Sequence, residues 1–180
     1  MNKNIVVFAG NGCRQDKEEF YYSLSYETGK ILAQSGFTAV TGGGPGLMNQ
    51  VLKGAYENGG KTIGVRLHQE GKVQSPFVTR TFFYRRLKPR QAKLISLADA
   101  FLALPGGIGT FYEIFEVLSL KRKGEIKMST PLIIIGSYFN EFLKLISLME
   151  KEGLVHKSIR NLFDYCTDLK EMEKILQEVL

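Results

Sequence analysis

A chain of 180 residues, 44% hydrophobic and 23% charged, has the composition of an ordinary globular domain, which excludes disordered and fibrous classes. No apolar run is long enough to cross a membrane, and neither Cys13 and Cys166 nor His68 and His156 have metal-ligand or disulfide-framework spacing, so a reduced, cytoplasmic protein without a metal, cofactor or membrane partner is expected. The net charge of +6 is concentrated: Gly71 to Ala98 holds no acidic residue but contains Lys72, Arg80, Arg85, Arg86, Lys88, Arg90 and Lys93, an anion attractor with no recognition motif for nucleic acid.

Asn4 to Ala9 reads as a buried strand, followed by the turn Gly10-Asn11-Gly12-Cys13-Arg14 at the end where open α/β sheets bind ligands. Gln15 occupies the third glycine position of a dinucleotide fingerprint, so Gly10 and Gly12 serve either a tight turn or a substrate contact. A helix is predicted from Asp16 to Ser35, stopped by Gly36, then a strand from Phe37 to Thr41. The glycine turn Gly42 to Gly46 follows, and Pro45 suits the first turn of a helix carrying Leu47, Met48, Val51, Leu52 and Ala55 inward. Gly43, Gly44 and Gly46 either face a ligand or permit close helix–sheet packing. Gly60-Lys61-Thr62 mimics a P-loop, but Ala55 replaces the required glycine and no strand precedes it.

Thr62 to Leu67 is the next strand, His68 to Pro76 a polar connection near the pocket, and Phe77 to Tyr84 an extended segment. A helix from Pro89 to Leu97 places Arg90 in its first turn. Strands are predicted at Ala100–Leu104, Pro131–Ile135 and Leu162–Tyr165, and a helix from Phe139 to Glu152 ends at Gly153. Asp168 and Glu171 can cap a last helix with Leu169, Met172, Leu176 and Val179 inward. Apolar strands alternating with helices predict one Rossmann-like, doubly wound α/β domain over residues 1–180, with a parallel sheet covered by helices on both faces.

Between the strand ending at Leu104 and a helix marked by Phe111, Ile114, Phe115 and Leu118 lies Pro105-Gly106-Gly107-Ile108-Gly109-Thr110. A helix N-terminus carries free N–H groups and partial positive charge, and glycines let a phosphate approach that backbone. Thr110 and Glu113 also fit a capping box, which accounts for both without a ligand.

Pro105-Gly106-Gly107-x-Gly109-Thr110-x-x-Glu113 resembles the PGGxGTxxE signature of the LONELY GUY (LOG) family, often labelled lysine-decarboxylase-like. Gly42-Gly43-Gly44-Pro45-Gly46-Leu47-Met48 is similar to that family's GGGxxGLM-type turn, and Arg90 stands at the family's distance before the PGG loop. The resemblance runs from about Ile5 to the C-terminal helix. It implies hydrolysis of a nucleoside 5′-monophosphate, AMP or N6-modified AMP, to free base and ribose 5-phosphate. It implies Glu113 as the carboxylate at the anomeric carbon and Arg90 as its cationic partner. Gly106, Gly107, Gly109 and Thr110 would cradle the 5′-phosphate. Glu116, and more weakly Gly12, Gly43, Gly44, Gly46 and Met48, would meet the ribose or base; a solvated helix face also explains Glu116.

Tyr112 and Gln91 depart from the family's usual Glu and Lys, which bears on substrate preference. No lysine is marked for a Schiff base, Lys93 being the only one near the motifs. A non-catalytic nucleotide- or cofactor-binding carrier on the same fold is the alternative. A two-fold homodimer is expected from the resemblance and from the aromatics Phe77, Phe82, Phe83 and Tyr84.

Overall fold

Ala100-Phe101-Leu102-Ala103 and Leu132-Ile133-Ile134-Ile135 are buried along their whole length, as strands covered on both faces must be. They sit within a seven-stranded sheet made of β1 (Asn4–Phe8), β2 (Thr38–Thr41), β3 (Thr62–Leu67), β4 (Arg80–Tyr84), β5 (Ala100–Ala103), β6 (Leu132–Ile135) and β7 (Asp164–Cys166). The computed structural model describes residues 2–68, 71 and 73–179. All neighbouring strands are parallel, in the order β4-β3-β2-β1-β5-β6-β7. The chain therefore steps outward from β1 to β4, returns, and continues on the other side of β1. The crevice between β1 and β5 is the switch point at which such sheets bind ligands.

The helices are α1 (Glu18–Gln34), α2 (Leu47–Glu57), α3 (Leu87–Leu97), α4 (Ile108–Lys123), α5 (Asn140–Lys151) and α6 (Leu169–Val179). Side chains alternate across a strand, so β1 feeds two cores. Ile5, Val7 and Ala9 pack with Leu32, Leu47, Val51, Met172 and Leu176, which places α1, α2 and α6 on one face. Val6 and Phe8 pack with Leu94, Ile114, Val117, Phe142 and Ile146, which places α3, α4 and α5 on the other. Each fully buried side chain of this size contributes about 1.5–3 kcal/mol. The doubly wound parallel sheet expected from the alternating pattern is the one observed.

Local boundaries differ from expectation for identifiable reasons. Pro45 precedes the helix rather than opening it, because Gly46 caps α2 with φ of +66°. The segment from Phe77 to Thr79 is not ladder: Thr62 and Thr79 exchange side-chain and backbone hydrogen bonds of 2.7–3.0 Å, and β4 begins only at Arg80. Leu162 ends a 3-10 helix (Lys157–Leu162), so the last strand starts at Asp164 instead. At the last helix, Asp168 accepts from the amides of Lys170 and Glu171, while Glu171 reaches back to the amide of Thr167, so both acidic residues cap it. Val179, expected inward, is exposed. The expected aromatic patch is dispersed: Phe83 is exposed, Phe77 leans on Tyr56, and Phe82 lies beneath Arg80 and Lys93.

Lys121 explains the displaced last strand. It is buried on α4 and donates to the carbonyls of Thr130 at 2.8 Å and Leu162 at 2.6 Å, tying two connections to the helix. Burial pushes its pKa down, and Asp164 offsets this in part. Methionine there would fill the space but leave both carbonyls unpaired. Lys121→Met should cost about 1–3 kcal/mol, read as a lower urea midpoint at unchanged slope.

Candidate active site

Three connections leave the C-terminal ends of adjacent strands, and backbone hydrogen bonds join them. The amide of Gly10 donates to the Pro105 carbonyl at 3.0 Å, and that of Met48 to the Gly10 carbonyl at 3.3 Å. The turns after β1, β2 and β5 thus form one floor. Gly46 contributes to it: a Cβ there would stand 2.3 Å from the backbone of Asn11.

The helix after the PGG turn begins three residues earlier than a capping box requires. Its cap is Gly107, no side chain among the described residues bonds the first-turn amides, and Thr110 is buried in that turn. The capping-box expectation for Thr110 and Glu113 is therefore overturned, because glycine closes the helix start without a side chain. The free amides of the first turn open onto a cavity of about 260 Å³ lined by Gly10, Asn11, Met48, Arg90, Gly107, Gly109, Thr110 and Glu113.

Glu113 is 13% exposed and stands 3.8 Å from Arg90, which is equally buried. Arg90 lies near the start of α3, which begins at Leu87 rather than Pro89. Its Nε donates to the Val65 carbonyl at 2.9 Å. A Cβ on Gly42 would meet its Nη2 at 2.0 Å, so the bare backbone of the GGG turn is the room that this guanidinium occupies. Burial lowers the Arg90 pKa, and Glu113 opposes that shift. Burial pushes the Glu113 carboxyl up to about 7; Arg90 pulls it down and Glu116 pushes it further up.

Glu116 sits half-buried beyond Glu113. Burial raises its pKa, while Gln91, Tyr112 and Lys88 lower it. Gln91 is 1% exposed beside it, yet no well-formed hydrogen bond joins them: among the described residues, both Gln91 amide atoms and Glu116 Oε2 are buried without a partner.

The remaining candidate residues distribute around this centre. Gly44 lines a second cavity of about 330 Å³ with Asn11, Pro45, Met48, Leu67, Gln74, Leu87, Arg90 and Gly109. Gly12 and Gly106 line a third, of about 250 Å³, with Cys13, Tyr21, Leu47, Pro105, Gly107 and Tyr138. Gly43 faces neither; it packs on Arg66 and Gly64. A separate cavity under the C-terminal end of α4, lined by Arg122, His156 and Ser158, contains none of the glycine turns. Among the described residues no three His, Cys, Asp or Glu side chains cluster as a metal site, and no helix is long and apolar enough to cross a membrane.

Asn11, Arg66 and Gln74 were not singled out by sequence reasoning. Asn11 lies between two glycines already noted. Arg66, a lone cation in the apolar strand Thr62–Leu67, carried a usable signal; Gln74, in a polar connection, carried none.

The folded-state carboxyl of Glu113 binds its proton more tightly than an unfolded one, so it favours the fold most below pH 4.5 and that contribution is lost as pH rises to about 7. The loss is on the order of 3 kcal/mol. Urea unfolding across this range should show the decline in the wild type and a flatter profile in Glu113→Gln.

A family profile described as "Possible lysine decarboxylase" matches residues 48–176. The cytokinin riboside 5′-monophosphate phosphoribohydrolase LOG of Oryza sativa subsp. japonica is 28% identical over 179 residues, covering 98% of this chain and 73% of the relative. A cytokinin riboside 5′-monophosphate phosphoribohydrolase of Arabidopsis thaliana, LOG3, is also 28% identical, over 98% of this chain and 82% of its own. In fold, the chain is similar to the molybdenum cofactor binding protein from Rippkaea orientalis, with a TM-score of 0.74 at 19% identity, covering 99% of this chain and 98% of that one. With the profile spanning most of its length and both glycine signatures at the sheet's switch point, the chain belongs to the LOG family, the family described as possible lysine decarboxylases.

Proposed function

We propose that this protein hydrolyses the N-glycosidic bond of a nucleoside 5′-monophosphate, AMP or an N6-modified AMP, releasing the base and ribose 5-phosphate. The observation that carries this reading is the buried Glu113–Arg90 pair opening onto the same cavity as the free amides of α4. An anionic group on those amides, with Gly107, Gly109 and Thr110 around it, sets the sugar beside Glu113. Cleavage breaks the bond between C1′ and the base nitrogen, whose electrons leave with the base, and a water oxygen bonds to C1′. Glu113 as carboxylate accepts that water's proton and offsets the positive charge developing on the sugar; the departing base gains a proton from solvent. A carboxyl poised at about 7 suits a base working near neutrality. Arg90 grips ribose or phosphate oxygens and keeps Glu113 ionisable in a dry setting.

The description as a decarboxylase does not extend to the chemistry. Among the described residues no lysine lines any of the three cavities at the glycine turns, and Lys93 lies 4.5 Å over the Phe82 ring. The fold's likeness to a molybdenum cofactor binding protein supports a carrier as the second reading. What favours the enzyme is a buried acid held beside a buried arginine, which a carrier of anions has no need to keep.

Purified protein should release ribose 5-phosphate from AMP. Turnover should rise with pH through about 7 as Glu113 ionises. Glu113→Gln should bind AMP but hydrolyse it at least about a hundred-fold more slowly. Binding without turnover in the wild type would leave the carrier standing.

We also propose a homodimer whose interface covers Ile108, which is 92% exposed, with Tyr112 one turn away and Leu87 at the start of α3. Sedimentation at micromolar concentration should show a dimer. Ile108→Asp should shift it toward the 20.2 kDa monomer.

A further inference from the structure

We propose that the cavity beside the GGG turn takes the base of the nucleotide, and that Gln74 recognises an exocyclic amine on it. This rests on the nucleotide reading above. The first cavity and this one share Asn11, Met48, Arg90 and Gly109 as common walls. Glu113 belongs to the first alone, so Arg90 marks the junction. A nucleotide with its phosphate on the α4 amides and its anomeric carbon by Glu113 extends its base past Arg90 into the second cavity.

The second cavity suits a base. Pro45, Met48, Leu67, Val73 and Leu87 supply apolar surface for a flat ring. Against them Gln74 places one polar group. Its side-chain oxygen is buried and has no hydrogen-bond partner among the described residues. Leaving such an acceptor unpaired is costly, and a ligand donor relieves it.

The backbone beside Gln74 is anchored for this. Arg66 donates through Nη2 to the carbonyl of Ser75, the amide of Ser75 donates to the Gly43 carbonyl at 3.0 Å, and the amide of Phe77 donates to the Ser75 hydroxyl at 3.2 Å. Arg66 is itself 9% exposed, and no acidic side chain pairs with it among the described residues. A cation buried in β3 thus serves to fix the residue next to Gln74 onto the glycine turn.

The third cavity is the rival location. It lacks Arg90 and Glu113, the Tyr138 hydroxyl in it is already committed to the Gly106 carbonyl at 2.6 Å, and none of its lining side chains carries a buried unpartnered polar atom. The base class that fits Gln74 is one bearing an amine beside a ring nitrogen, as in 6-aminopurines, whether or not that amine carries a single substituent.

The test compares three ligands by calorimetry in protein carrying Glu113→Gln, so that AMP persists through the titration: AMP, purine riboside 5′-monophosphate, which lacks only the amine, and ribose 5-phosphate, which lacks the base. That protein should bind AMP about ten-fold tighter than purine riboside 5′-monophosphate. Gln74→Leu should erase that preference and leave ribose 5-phosphate binding unchanged, with the thermal midpoint as a control for folding. A variant that keeps the preference overturns the proposal. So does one that loses ribose 5-phosphate equally, since Gln74 would then support the connection and read nothing. If Tyr21→Ala removes the preference while Gln74→Leu does not, the base lies in the third cavity. Failure of the wild type to bind either AMP or ribose 5-phosphate would instead bring down the nucleotide reading itself.

Discussion

Arg90 is held by the Val65 carbonyl on one side and by a backbone lacking a Cβ at Gly42 on the other, and the rest of the site is arranged around the position this fixes. A guanidinium so deeply placed needs a partner, and Glu113 supplies one from a different helix. The separation of 3.8 Å is that of an ion pair rather than a direct hydrogen bond. Both groups consequently keep hydrogen-bonding capacity for something between or beside them. A tighter bridge would satisfy the two side chains and close the cavity to chemistry.

The same arrangement shows where the fold gives up stability. Glu113 is more buried than a carboxylate prefers, and the acidic Glu116 one turn further adds to the strain. Around Glu116 the neutral Gln91 and Tyr112 and the cationic Lys88 all favour its charged form, against the burial that opposes it.

Much of this was legible in the sequence because it is written in backbone terms. Glycine clusters following apolar runs marked both turns at the strand ends, and the spacing of Phe111, Ile114, Phe115 and Leu118 marked the helix behind the PGG turn. The motif singled out Arg90 and Glu113, and the fold brings them to one cavity. The start of α4 is obscured in the sequence because Thr110 and Glu113 have capping-box spacing, and nothing local reveals that Gly107 already ends the turn. The roles of Arg66 and Gln74 are silent in the sequence for a different reason. Their importance comes from burial beside the Gly42–Gly46 turn and in the cavity next to it, a property of tertiary packing that periodicity does not encode. The apolar character of Leu162 reads as strand, whereas its carbonyl belongs to Lys121.

The order of the strands carries a consequence for how the protein is made. Ile5 pairs with Ala100, and the Gly10 amide with the Pro105 carbonyl, so the floor of the cavity joins the first segment of the chain to one synthesised much later. Contacts this distant in sequence carry a loop-closure cost and are slow to form. No half of the chain can assemble the crevice alone, since β2 and β3 supply Gly42 and Val65 while β5 leads into Glu113. Occupancy of the crevice is thereby linked to completion of the whole sheet. A ligand held in the crevice would act as a global fastener, slowing the opening of strands at the centre and leaving the edge strands β4 and β7 as the first places to fray.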